Sequence, residues 1–372
     1  MRELHQAINA PFSQRKAVDA SPVVVFLGVE SDLSTVGRDG VVRMRVRPDR
    51  VQKLVASFHE VLKDGRLPSA LASSICGKLQ FTTSWAFARV GRAAMQPLFE
   101  AASDGGGPRG RKRRRGEPPG LGGAAAGEAG DVGLSLGAAA SLRFFASVLE
   151  ALPPHEYDVR RRDEPPVLVW SDARWEADDP EPAGVGFVVA FPRAGASGGR
   201  VGSLRDMGEQ YELVHGSAVV PESFMEGFVR RRQQIGQLEI LAALVPYISL
   251  PERLGGKRVM HWIDNTSAVA ALSKGYSGVP DSARLVHAFH ATLAGMNSRC
   301  WFEYVRSAAN VADAPSRVDL AGAQWDCGLP GEGLVSSPVP VRLPGERDWA
   351  DRAAEWALWA REAARCGDGA VP

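Results

Sequence analysis

From residue 104 to residue 130 the chain reads Asp-Gly-Gly-Gly-Pro, then Arg-Gly-Arg-Lys-Arg-Arg-Arg over 109–115, then Gly-, Ala- and Pro-rich sequence. Such a stretch cannot bury enough apolar area to offset the entropy of ordering it, so it reads as a disordered linker over 104–137. No hydrophobic core can run unbroken through it. The 372 residues must therefore build two bodies, one before the linker and one after it. With 45% hydrophobic residues, the chain has enough apolar material for a sizeable core in each.

Charge narrows the classes of partner. Lys plus Arg number 44 against 43 Asp plus Glu, which excludes a global polyelectrolyte field as the main binding device. A nucleic-acid partner would have to be held by local patches, and the six cations of Arg109, Arg111, Lys112, Arg113, Arg114 and Arg115 form the densest one. That run reads equally as phosphate contact, as a nuclear import signal, or as a solvated loop. Cys76, Cys300, Cys327 and Cys366 lie far apart with no CxxC pair, which argues against a disulfide scaffold or zinc knuckle. No run of about 18 apolar residues occurs, so no membrane span is expected, and the reading is a soluble intracellular protein, nuclear or cytoplasmic.

Before the linker, Val23 to Gly28 and Val41 to Val46 are β-branched runs that suit a two-stranded hairpin. Three helices follow: one opened by Pro48-Asp49, one by Pro68-Ser69, and one through Phe87, Val90, Met95 and Leu98. After the linker, Ala138 to Leu152 reads as a connecting helix, with loop to residue 164. Strands are then expected at 167–172, 184–191, 211–220, 258–264 and 301–305, with helices at 234–247, 265–274 and 282–296. The order β-β-β-α-β-α-α-β-α is a mixed α/β domain over 165–320. Residues 321–372 form a Gly/Pro-rich tail whose last helix, Asp348 to Arg365, carries Trp349, Trp356 and Trp359. Aromatics at that spacing dock on a domain more often than they bind a ligand.

Four acids sit at informative places. Asp172 and Asp264 each end a strand, Glu239 lies in a helix among apolar neighbours, and Asp313 begins the last short helix. Acids at the carboxyl ends of adjacent strands project into the crevice where open α/β sheets bind ligands. Gathered there, they repel one another unless cations neutralise them, and hard oxygen ligands select Mg²⁺ or Mn²⁺. Two such ions serve in-line phosphodiester hydrolysis. Each acid also has a plainer role open to it: Asp172 in a turn, Asp264 and Asp313 as helix caps, Glu239 on a solvated face.

Four blocks carry a resemblance. They are Ser171-Asp172-Ala173 with Gly184-Val185-Gly186, Gln237-Leu238-Glu239-Ile240-Leu241, Trp262-Ile263-Asp264-Asn265-Thr266, and Asn310-Val311-Ala312-Asp313-Ala314-Pro315-Ser316-Arg317. In this order, residues 165–318 resemble the ribonuclease H domain of a retrotransposon reverse transcriptase, of the tyrosine-recombinase or related LTR type. The resemblance implies a ribonuclease H-like mixed five-stranded sheet flanked by helices. It further implies that Asp172, Glu239, Asp264 and Asp313 hold two Mg²⁺ or Mn²⁺ ions for endonucleolytic cleavage of the RNA strand of RNA–DNA hybrids. Asn265, Asn310 and Arg317 are then expected near the nucleic acid, alongside the linker cations.

Residues 1–103 resemble the end of a reverse-transcriptase palm, at Phe26-Leu27-Gly28, followed by thumb and connection helices around Ile75-Cys76-Gly77-Lys78-Leu79. No Tyr-x-Asp-Asp pair is present, and Asp178-Asp179 falls in a loop. Polymerase activity is not expected from this chain alone; a palm would have to come from another chain. The histidine that some ribonucleases H place between the third and fourth acids has no clear counterpart. Two other functions fit the same residues: a binding remnant without turnover, and another nuclease or integrase of this fold.

Overall fold

The computed structural model describes residues 21–103, 133–317, 324–325 and 334–345, except 27, 87–88, 152–153, 160–163, 177–181, 197–203, 230 and 232. The basic run 109–115 and the expected helix at 348–365 lie outside the described residues.

The first body is a four-stranded antiparallel sheet with helices packed on it, not a two-stranded hairpin. Its strands Val23–Phe26 (β1), Val29–Asp32 (β2), Val41–Val46 (β3) and His155–Asp158 (β4) lie in that order. Pairing of Phe26 with Val29 leaves room only for a tight turn, and Gly28 supplies it at φ +87°. The fourth strand comes from the segment expected as connecting helix and loop. Helix Leu136–Ala151 likewise packs into this body, its Leu142, Phe145 and Leu149 buried with Leu54, Phe58, Ile75 and Leu79. That helix is apolar enough to require covering, and the helices Pro48–Asp64 and Ser69–Ala86 offer the matching stripe. The expected third helix is broken. Turns occupy 89–95 and a helix runs only over Gln96–Ser103, because Gly91 adopts φ +81° where a Cβ would meet the Phe145 ring.

The second body is a mixed α/β sheet. Its strands are Val167–Trp175 (β5), Ala183–Pro192 (β6), Tyr211–Val219 (β7), Arg258–Ile263 (β8) and Arg299–Tyr304 (β9). A two-residue ladder joins Gln324–Trp325 (β10) to Leu334–Val335 (β11), and Ser337–Pro338 (β12) runs parallel to β7. The order β12-β7-β6-β5-β8-β9 makes six strands where five were expected. The five predicted strands are all present; the sixth is too short to leave a pattern in the sequence. β7, β6 and β5 are antiparallel, whereas β5, β8 and β9 are parallel and need helical crossovers. Helix Ile235–Ser249 supplies the first of these. It is buried all round from Gln237 to Ile248, between the sheet and helix Pro280–Gly295.

The two bodies touch through Phe144 and His287, whose rings lie edge-on at 4.3 Å, and through Arg92, which donates to the Lys274 carbonyl at 3.0 Å. Among the described residues, no helix is long and apolar enough to cross a membrane.

Candidate metal centre

β5 and β8 are adjacent parallel strands, so their carboxyl ends open at the same edge of the sheet. Asp172 sits near that end of β5 and Asp264 directly follows β8. Helix Ile235–Ser249 crosses behind them and delivers Glu239 from its second turn. One carboxylate oxygen from each of the three lies within 4.8 Å of the others. Asp172 and Glu239 are buried, at 5% and 3% exposure, while Asp264 is half-buried.

Charge explains what this arrangement demands. Burial pushes the Asp172 carboxyl up to about 6; the Ser316 hydrogen bond opposes that rise, and the charges of Asp264 and Asp313 add to it. Glu239 is driven well above the usual carboxylate range by burial, then by Asp172 and Asp264, with the Ala173 amide opposing. Glu239 Oε2 is buried without a hydrogen-bond partner among the described residues. An all-oxygen donor set with an orphaned, buried carboxylate oxygen fits a hard divalent cation, Mg²⁺ or Mn²⁺. Such an ion would relieve both the repulsion and the missing partner.

The block from Asn310 to Arg317 forms a clamp on Asp172. Asn310 Nδ2 donates to Asp172 Oδ1 at 3.2 Å and to the Ser171 carbonyl at 3.0 Å. Ser316 Oγ donates to Asp172 Oδ2 at 2.6 Å. Gly184 and Gly186 make the seat for this block, since a Cβ at either would run into the backbone at Pro315 and Ser316. Ser217 Oγ adds a 2.5 Å hydrogen bond to the Pro315 carbonyl. The Gly-Val-Gly spacing is thus the imprint of a close approach, alternate glycines on one face of β6.

Asp313 does not join the trio. It is half-exposed and pairs with Arg317 at 3.1 Å, while Arg317 also reaches Glu176 at 3.4 Å. Its charge still reaches Asp172. Asn310 is buried, with its amide used inside the protein rather than presented outward. Asn265 caps helix Thr266–Lys274, its Oδ1 accepting from the Ser267 and Ala268 amides at 3.1 and 3.0 Å. Sequence reasoning assigns Ser316 no role, although it stands in the Asn310–Arg317 motif; its position three after Asp313 is the signal that could have found it.

The two histidines that fall between Asp264 and Asp313 in the sequence lie in the core. His287 and His290 are buried in helix Pro280–Gly295 with ring pKa values depressed by burial to about 4 and 3. Behind Asp172, a buried polar chain runs from Ser171 Oγ to His261 Nε2 at 2.9 Å, then from His261 Nδ1 to the Tyr247 hydroxyl at 3.2 Å. Tyr247 continues to Cys300 Sγ at 3.1 Å. These contacts satisfy core polar groups and brace the strand pair that carries the acids.

Fold and site together define a mixed α/β protein with a buried three-carboxylate cluster at the open end of parallel strands. No family model matches the chain, and no curated protein matches it. Among solved structures, it is similar to the protease–reverse transcriptase of prototype foamy virus, at 11% identity and a TM-score of 0.24. That likeness covers 44% of this chain and 20% of the viral one.

Proposed function

We propose that this chain is a divalent-metal-dependent endonuclease that cleaves the RNA strand of RNA–DNA hybrids, through a ribonuclease H-like domain derived from a retroelement reverse transcriptase. The observation that carries the reading is the convergence of Asp172, Glu239 and Asp264 from two strands and one helix, in the order of the sequence motifs that hold them. When bound, two such ions supply an activated water and stabilise the leaving oxygen of an in-line displacement. The chain's own contribution is placement. Asn310 and Ser316 fix both oxygens of Asp172, the Ala173 amide steadies Glu239, and burial holds these groups in a weakly screened setting. Asp264, half-buried, is the most solvent-accessible of the three acids.

The pairing of Asp313 with Arg317 favours a second reading, a hybrid-binding remnant without turnover. One assay separates the two. A labelled hybrid incubated with the protein and Mg²⁺ or Mn²⁺ should be cut in its RNA strand. Asp172→Asn should lower that rate by more than about 100-fold, since even outer partners of a metal site cost 10–100-fold. Hybrid binding should be unchanged. Binding without cutting by the unaltered protein would establish the remnant, and an unaffected rate in the variant would place the chemistry elsewhere.

A further inference from the structure

The helices of the first body leave a cavity of about 600 Å³ among them. Its walls are mostly apolar: Val51 and Leu54 come from helix Pro48–Asp64, Phe81 from helix Ser69–Ala86, and Leu149 from helix Leu136–Ala151. That volume suits a small organic molecule. The charged lining is all of one sign. Arg50, Lys53 and Lys78 border the cavity, all three are exposed, and no acid lines it. In a chain whose formal charge is only +1, three cations without an acid are not an average sample of the surface. Gly77 lines the same space from the middle of helix Ser69–Ala86. Glycine there destabilises the helix, because it has the most backbone freedom to lose. Sterics do not demand it either, since a Cβ at Gly77 would meet nothing within 4 Å. What its missing side chain does is keep the cavity open.

We propose that this cavity binds a small amphipathic anion, an apolar body carrying one carboxylate head. The body lies among Val51, Leu54, Phe81 and Leu149, and the head among Arg50, Lys53 and Lys78. Each half of such a ligand meets its complement: apolar surface leaves water against apolar walls, and the carboxylate takes charge-assisted hydrogen bonds. A phosphodiester chain is the poorer match. Its charges recur along its length, and apolar walls would strip their water without supplying donors. A neutral apolar molecule would leave the cations unused. The inference concerns the first body alone and does not need the metal reading.

Calorimetric titration of the full chain with decanoate, kept below its micelle concentration, should show one saturable site. Decanol, the same body without the charge, should bind about 10-fold more weakly or worse. Replacing Lys53→Gln together with Lys78→Gln should weaken decanoate by about 10-fold and leave decanol unchanged. Gly77→Leu should fill the space and abolish binding of both. That variant should unfold in urea no earlier than the unaltered protein, since leucine is the better helix former and its Cβ has room. If it does unfold early, the lysine pair decides alone: decanoate affinity unchanged by that pair would sink the proposal. Absence of saturable decanoate binding to the unaltered protein would overturn it outright. So would equal affinity for decanol, or undiminished decanoate binding by a folded Gly77→Leu protein. Displacement of decanoate by an RNA–DNA hybrid would also overturn it, giving the groove to nucleic acid.

Discussion

Ser316 Oγ lies 2.6 Å from Asp172 Oδ2, a charge-assisted hydrogen bond that favours the ionised carboxylate against the burial that opposes it. Metal ligation needs Asp172 deprotonated, so Ser316 sets the pH at which the site becomes available. The sign follows directly. Ser316→Ala removes a group that lowers the pKa, so the carboxyl rises above its value of about 6 and stays protonated to higher pH. Mn²⁺ titrations across pH should therefore show the binding midpoint displaced upward, with affinity near pH 6 weakened by about 10-fold and recovered at alkaline pH. A purely structural role for Ser316 would lower affinity equally at every pH. Asn310 holds the other oxygen of Asp172, so the two residues act on one carboxylate from opposite sides.

At the scale of elements, the segment Asp313–Ser316 is seated against β6 so closely that neither Gly184 nor Gly186 has room for a side chain. Gly186 pairs across the sheet with Asp172, and the block rests on it without room for a methyl group. Gly186→Ala should cost about 1–3 kcal/mol in urea unfolding, as overpacked sites do. It should also weaken Mn²⁺ binding, because the displaced block carries Ser316 away from Asp172. Full metal affinity in a destabilised Gly186→Ala protein would show that the clamp tolerates the shift. Much of this body was legible in the sequence. β6 announces itself as a continuous apolar run because it is buried on both faces, β5 and β8 alternate buried with half-buried residues, and Glu239 stands out within an otherwise apolar helix. The first body was less legible. β4 reads His-Glu-Tyr-Asp, four residues with no alternation, and it is a strand only because β3 pairs with it. The break at Gly91 and the grip of Asn310 and Ser316 on Asp172 are likewise set by partners distant in sequence.

For the whole molecule, the proposed nuclease reading assigns holding to the basic run 109–115 and cutting to the acid cluster. Neutral substitution of its six cations should flatten the salt dependence of hybrid binding, by up to about 0.9 log units per log unit of salt for each phosphate no longer neutralised. The bond that is cut should not change, since a grip on phosphates carries little sequence information. Parallel slopes for the two proteins would make the run a bystander or an import signal. A further consequence concerns the order in which the chain is made. The Arg43–Glu156 ion pair that ties β3 to β4 spans 113 residues, so the first sheet lacks its last strand long after its first three have left the ribosome. At ordinary elongation rates that interval is on the order of ten seconds, during which β3 is an open edge able to pair with a neighbouring nascent chain. The cationic stretch is synthesised within that interval. The edge closes only when His155–Asp158 arrives.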